Sequence, residues 1–144
     1  MTSKTTLYLL ASEDAFAIYA GRAPRALELL ATRQAAEFGD VLEEPTSEKT
    51  RGSTGQVSFN VGPELDAQSD RQRLALAAHA WQALDGIWPA GGHDRIVLAA
   101  GPKMLGALRA QQPTTLADYV SGELGKNLMN VPPQELPAHL GAEP

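Results

Sequence analysis

The chain has 144 residues, 43% of them hydrophobic and 20% charged, with a formal net charge of -5. That length and composition suit one globular domain over residues 1–144, and the acidic balance argues against broad binding to nucleic acid or anionic membrane while leaving room for a local basic site. With no cysteine in the chain, disulfides, thiolate catalysis and cysteine-ligated zinc or iron–sulfur centres are excluded.

At the amino terminus, Met1-Thr-Ser-Lys4 lacks the apolar core of a signal peptide. No segment approaches the roughly 20 apolar residues of a membrane span, so a cytoplasmic protein without membrane insertion is expected. Thr5 to Ala11 is a β-prone apolar run, and Ser12-Glu13-Asp14 turns it into Ala15 to Ala20, a predicted hairpin. Gly21-Arg-Ala-Pro24 forms the next turn. Ala26 to Thr32 reads as a third strand, with a helix as the alternative because Leu27, Leu29 and Leu30 fit that spacing nearly as well. A long mobile loop is expected over about 33–56. A helix follows Gly62-Pro63, with Leu74, Ala77, Ala78, Trp81 and Leu84 on one apolar stripe, Asp66 or Ser69 as its cap and Gly86 at its end.

Pro89-Ala-Gly-Gly92 leads into the most regular unit of the chain. Ile96 to Ala100 fits a strand buried on both faces, Pro102 suits the first turn of a helix, and Met104, Leu105 and Leu108 repeat at helical spacing. Ligands often bind where such a strand stops. Thr115 to Leu124 reads as a last, weaker strand interrupted by Gly122, and Pro132-Pro133 begins a terminal helix through Leu140. The order βββαβαβα predicts an α/β fold, a mixed five-stranded sheet with flanking helices, as in ribonuclease H-like proteins.

Several chemistries are missing from this pattern. A two-metal nuclease of such a fold needs carboxylates in its first strand and near the end of its fourth. Neither Thr5 to Ala11 nor Ile96 to Lys103 contains one. Glu13 and Asp14 read as a solvated turn. No phosphate loop or dinucleotide fingerprint is present, since Gly91-Gly92 precedes a strand. His79, His93 and His139 have no partner at metal-ligating spacing, and Ser12, Ser53, Ser58 and Ser121 lack the context of a hydrolytic nucleophile. Trp81 and Trp88 read as core packing. No metal and no cofactor is expected.

Three stretches carry a family resemblance: Asp94-Arg-Ile-Val-Leu-Ala-Ala-Gly-Pro-Lys-Met-Leu-Gly-Ala-Leu-Arg109, Glu123-Leu-Gly-Lys-Asn-Leu128 and Pro133-Gln-Glu-Leu-Pro-Ala-His-Leu140. They resemble the bacterial host attachment proteins, also described as proteins required for attachment to host cells. These are similar to the middle domain of archaeal and eukaryotic peptide-chain release factors. Ala11 to Tyr19 looks like the family's opening hairpin, and Leu105 to Arg109 is the most specific piece. Family members usually carry an acidic residue where Asn127 stands.

The resemblance implies a release-factor middle-domain-like fold and draws attention to Thr54-Gly55-Gln56, where release factors carry a Gly-Gly-Gln loop that promotes peptidyl-tRNA hydrolysis. Gly55 keeps backbone freedom and the Gln56 amide can bond a water, whereas Thr54 restricts the backbone where the motif needs freedom. Lys103, in the first turn of a helix, stands where backbone N–H groups favour anions. Arg109, two turns on, reads either as a phosphate contact or as a bridge from helix to sheet.

The leading expectation is a non-catalytic binding module that recognises the ribosome, tRNA or an unidentified protein through Arg51, Gly55, Gln56, Lys103 and Arg109. One alternative is an adaptor needed indirectly for surface or host attachment. Another is a peptidyl-tRNA or other ester hydrolase using Gln56.

Overall fold

A computed structural model describes residues 5–23, 25–39, 61–90 and 92–141. Its sheet has the order β3-β2-β1-β4-β5, made of β1 (Thr5–Ala11), β2 (Ala15–Gly21), β3 (Leu27–Gln34), β4 (His93–Ala100) and β5 (Val120–Leu124). The first three strands meander antiparallel, while β1 pairs in parallel with β4 and β4 with β5. The helices are α1 (Val61–Ile87), α2 (Pro102–Ala110), the single turn α3 (Thr114–Ala117) and α4 (Leu136–Gly141). The mixed five-stranded α/β fold expected from the sequence is the fold observed.

Alternation along the central strands divides the core in two. Leu7, Leu9 and Ala11 of β1, Phe16 and Ile18 of β2, and Ile96, Leu98 and Ala100 of β4 face α1 and α2. Tyr8, Leu10, Val97 and Ala99 face the opposite way, onto Leu128, Leu136 and Leu140 of the carboxy-terminal segment. Such two-sided burial is why β4 reads as an unbroken apolar run rather than an alternating one.

Four local details differ from the sequence expectation. Helix α1 starts at Val61, which puts Gly62-Pro63 in its first turn, where proline is tolerated, and Asp66 and Ser69 inside the helix rather than at its cap. It also runs past Gly86 to Ile87 and continues as a 3-10 turn, Trp88–Ala90. The buried stripe of α1 is Leu76, Ala77, Ala80, Trp81 and Leu84, with Leu74 and Ala78 only half-buried. Finally, the segment before β5 is helical at Thr114–Ala117, because Pro113 presets its entry and Leu116 turns inward to bury.

The strand read over Ala26 to Thr32 is observed, from Leu27 to Gln34, and is followed by a 3-10 turn, Ala35–Glu37. The expected loop therefore begins later than residue 33, and residues 40–60 lie outside the described part. Among the described residues no helix is long and apolar enough to cross a membrane.

The two helices on the first face are tied by one polar contact inside the core. Trp81 Nε1 donates to the Leu108 carbonyl at 2.8 Å, and that carbonyl belongs to the last turn of α2, which lacks an intrahelical donor. Trp81 is 2% exposed and Leu108 fully buried, so water does not substitute. Trp81→Phe should lower unfolding stability by about 1–3 kcal/mol, the usual penalty for a stranded buried polar group, with little change in secondary structure. Urea denaturation followed by circular dichroism measures both.

Candidate functional site

The parallel pair β1 and β4 ends level, Ala11 beside Ala100, and the chain leaves the two ends in opposite directions. From β1 it turns through Ser12, Glu13 and Asp14 into β2; from β4 it passes Gly101 into α2. Strand β5 ends alongside, Leu124 beside Ala99, and continues into Gly125 and Lys126. In open α/β sheets ligands bind outside the carboxyl ends of the strands where successive connections diverge, and this ledge is that place.

Its first rim is built around a buried arginine. Arg73, on the core-facing side of α1 and 6% exposed, donates through Nη1 to Glu13 Oε2 at 2.8 Å and through Nη2 to Asp70 Oδ1 at 2.6 Å. The carboxylates of Asp70 and Glu13 together outweigh the desolvation of the guanidinium and hold its proton more firmly than usual. The turn itself is closed by Ser12, whose N–H donates to the Ala15 carbonyl at 2.8 Å and whose Oγ accepts from the Asp14 N–H at 3.1 Å. Glu13 thus joins the hairpin to α1 and is not the free turn residue expected from the sequence.

The second rim is the amino end of α2. Gly101 is its N-cap in extended conformation, Pro102 occupies the first turn, and among the described residues no side chain caps the N–H groups there. A Cβ at Gly101 would meet nothing within 4 Å, so the approach to this helix end is open. Lys103 is exposed beside it, while Met104 and Leu105 anchor the turn in the core. The third rim carries exposed Lys126 and Asn127, whose Oδ1 accepts from the Met129 N–H at 3.0 Å. Either an amide or a carboxylate oxygen can fill that turn-closing role, so the acidic residue expected at this position from the resemblance would make the same contact. The ledge is consequently polarised, with carboxylates towards α1 and lysines plus a helix amino end towards β4 and β5.

Of the residues singled out in the sequence, Lys103 lies on this ledge. Arg109 does not join it. Six residues along α2 amount to about 9 Å of rise and a rotation of about 120° away from Lys103. There Arg109 donates to Glu123 Oε1 of β5 through Nε at 2.9 Å and Nη2 at 2.6 Å, the bridge from helix to sheet that was its alternative reading. Arg51, Gly55 and Gln56 lie outside the described residues. Sequence reasoning missed Arg73, for which one signal existed: it continues the core-facing line of Leu76, Ala77 and Ala80 one turn towards the amino end, a charge on an apolar stripe that calls for a partner.

At the amino ends of the same strands a second polar arrangement closes the sheet. Gly92, at φ +83, bends the chain into β4 so that its carbonyl accepts both the Thr5 N–H at 2.6 Å and the Thr5 hydroxyl at 3.1 Å. Thr5 Oγ1 also lies within hydrogen-bond distance of His93 Nδ1, at 2.8 Å. Trp88 packs at 6.0 Å from His93 and 4.7 Å from Tyr119, which gives Trp88 an intramolecular packing role.

A mixed sheet of order 3-2-1-4-5, with helices on one face and the carboxy-terminal segment on the other, is the architecture of a release-factor-like α/β domain. Residues 9–140 match bacterial archaeo-eukaryotic release factor family 12, and the chain belongs to that family. No curated protein matches it. The match carries the release-factor relationship expected from the sequence; an attachment role finds no separate support in it.

Two outcomes are expected here. Arg73→Met should loosen the β1–β2 turn, seen as faster amide exchange at Glu13 and Asp14 while the central strands stay protected. Burial lowers the pKa of His93 below 6.5, with Asp94 opposing to a lesser degree. The unfolded chain then takes up a proton that the folded chain refuses, so this contribution to stability is present above pH 6.5 and is lost as pH falls through the folded-state value. The loss of denaturation midpoint between pH 7.5 and 5.5 should be smaller in His93→Gln than in the parent.

Proposed function

We propose that the chain is a non-catalytic binding module of the release-factor family that docks on the phosphate backbone of an RNA-containing partner, the ribosome or tRNA. The observation that carries this reading is the open, side-chain-uncapped amino end of α2 at the divergence of β1 and β4, with exposed Lys103 beside it and Lys126 on the neighbouring rim. Backbone N–H groups at a helix start and two lysines recognise phosphate oxygens without reading base sequence. Alanines at the ends of β1 and β4 have no group with which to ligate a metal or move a proton. The overall charge of -5 confines attraction to this rim and to partners that can reach it. In the same reading Arg51, Gly55 and Gln56 extend the contact, with Gln56 bonding the partner rather than activating water, while Arg109 acts by fixing α2 to β5.

The test is co-sedimentation of the purified protein with bacterial ribosomes across a salt series. Binding should weaken steeply with salt, and Lys103→Ala and Lys126→Ala should each reduce the slope of log affinity against log salt by about 1. Asp85→Asn, an exposed change near the far end of α1, leaves the ledge intact and should not alter that slope. No co-sedimentation at low salt, or equal slopes in all four proteins, would sink the proposal. Peptidyl-tRNA hydrolysis that is lost in Gln56→Ala would replace it with the enzymatic reading.

A further inference from the structure

Strand β3 is the outer strand of the sheet and is poorly covered on both faces, with Leu29 48% and Leu30 36% exposed. Its register against β2 contains an irregularity: Ile18 pairs with Ala31 but Tyr19 with Leu29, so Leu30 is an extra residue. In an unbroken strand, residues five apart point to opposite faces. The bulge removes that alternation. Glu28 stands opposite Ala20 and Arg33 opposite Phe16, and both of those β2 residues belong to the core on the α1 face. Glu28 and Arg33 therefore share one face of the edge strand, with Leu30 and Ala31 between them.

This arrangement is self-complementary. Two copies of β3 placed antiparallel about a two-fold axis normal to the sheet bring Glu28 of each against Arg33 of the other. Leu30 of each copy meets Ala31 of the other beside the axis, and on the opposite face Leu29 lies across from Thr32. The strand polarity, the face of each side chain and the sign of each charge all match, because the extra residue occurs once in each strand. Among the described residues Glu28 is unpaired and Arg33 is only loosely held. Glu28 has no hydrogen-bond or ion-pair partner among the described residues. Arg33 reaches only the carbonyl of its own neighbour Thr32 at 3.1 Å and Glu37 at 3.8 Å, with its side chain 56% exposed. The space for the partner's apolar residues is present as well. A groove of about 830 Å³ on the α1 face is lined by Ala20, Leu27, Glu28 and Leu30 on the sheet side and by Gly86 and Ile87 at the end of α1.

We infer that β3 is a docking edge for a second copy of this chain, joining two five-stranded sheets into one through antiparallel β3 pairing. Main-chain hydrogen bonds supply the attraction and the two Glu28–Arg33 pairs fix the register. The surface is distinct from the ledge proposed for RNA, which lies at the carboxyl ends of the parallel strands.

Sedimentation velocity of the full chain over a concentration series tests this. The parent should form a species of twice the protomer mass. Glu28→Arg and Arg33→Glu, each of which sets like charges opposite one another, should weaken self-association by about tenfold or more. Mixing those two variants in equal amounts should restore the dimer, since the two positive side chains of one copy then face the two negative side chains of the other; the double variant should restore it as well. Glu28→Gln, folded as judged by circular dichroism, should fall between the parent and Glu28→Arg. A parent that stays monomeric at the highest soluble concentration would overturn the inference, as when another segment of the chain or an unrelated protein covers the edge. A dimer indifferent to all of these charge changes would overturn it too, by placing the interface elsewhere.

Discussion

Everything in this fold hangs on the parallel pairing of β1 with β4. Both strands lie in the middle of the sheet with helices on one face and the carboxy-terminal segment on the other, and their side chains from Leu7 to Ala11 and from Ile96 to Ala100 are excluded from water. Backbone N–H and C=O groups in such a place have no solvent to turn to, so the ladder between the strands must be complete. A parallel ladder in turn requires a long crossover, and α1 supplies the helical part of it. The length of α1, the placing of α2 against it and the Trp81 bond to Leu108 are all consequences of closing that crossover over one face.

The same constraint explains where polar chemistry is found. With apolar side chains filling both strands to their last residues, polar and charged groups gather at the two ends of the sheet. At the carboxyl ends they form a ledge whose acidic side is anchored by buried Arg73 and whose basic side is the start of α2 with Lys103. At the amino ends they form the Gly92, Thr5 and His93 arrangement. Among the described residues, the polar surface of this release-factor-family domain therefore lies at the two ends of its parallel strands. Arg109 and Glu123 tie the helix that bears the ledge to β5.

The outer strands have different freedoms. Strand β5 is short and held by β4 and by Arg109. Strand β3 is longer, only thinly covered on either face among the described residues, and keeps a bulge. A bulge usually protects an edge by twisting it away from further pairing. Here it also resets the alternation of side chains, so an edge that would have carried opposite charges on opposite faces carries them together. One extra residue thereby changes what kind of neighbour the edge can accept.

The strands, the amphipathic helix and the order of elements were legible in the amino-acid sequence because they rest on local periodicity: Thr5 to Ala11 and Ile96 to Ala100 as buried runs, Trp81 and Leu84 on a helical stripe, Pro102 at a helix start. The release-factor relationship was legible too, most clearly from Asp94 onward, although the family match extends over residues 9–140. A charge at Arg73 on the apolar stripe of α1 called for a partner, and a helix-to-sheet bridge was one reading of Arg109. Nothing local disclosed that those partners would be Glu13 with Asp70 and Glu123, or that Glu28 and Arg33 would share a face. Each of those depends on groups brought together from separate elements, or on a register shift that leaves no mark in composition. They are settled by the folded arrangement alone, because hydrophobic burial is encoded residue by residue whereas the pairing of charges is a property of the distances that burial leaves behind.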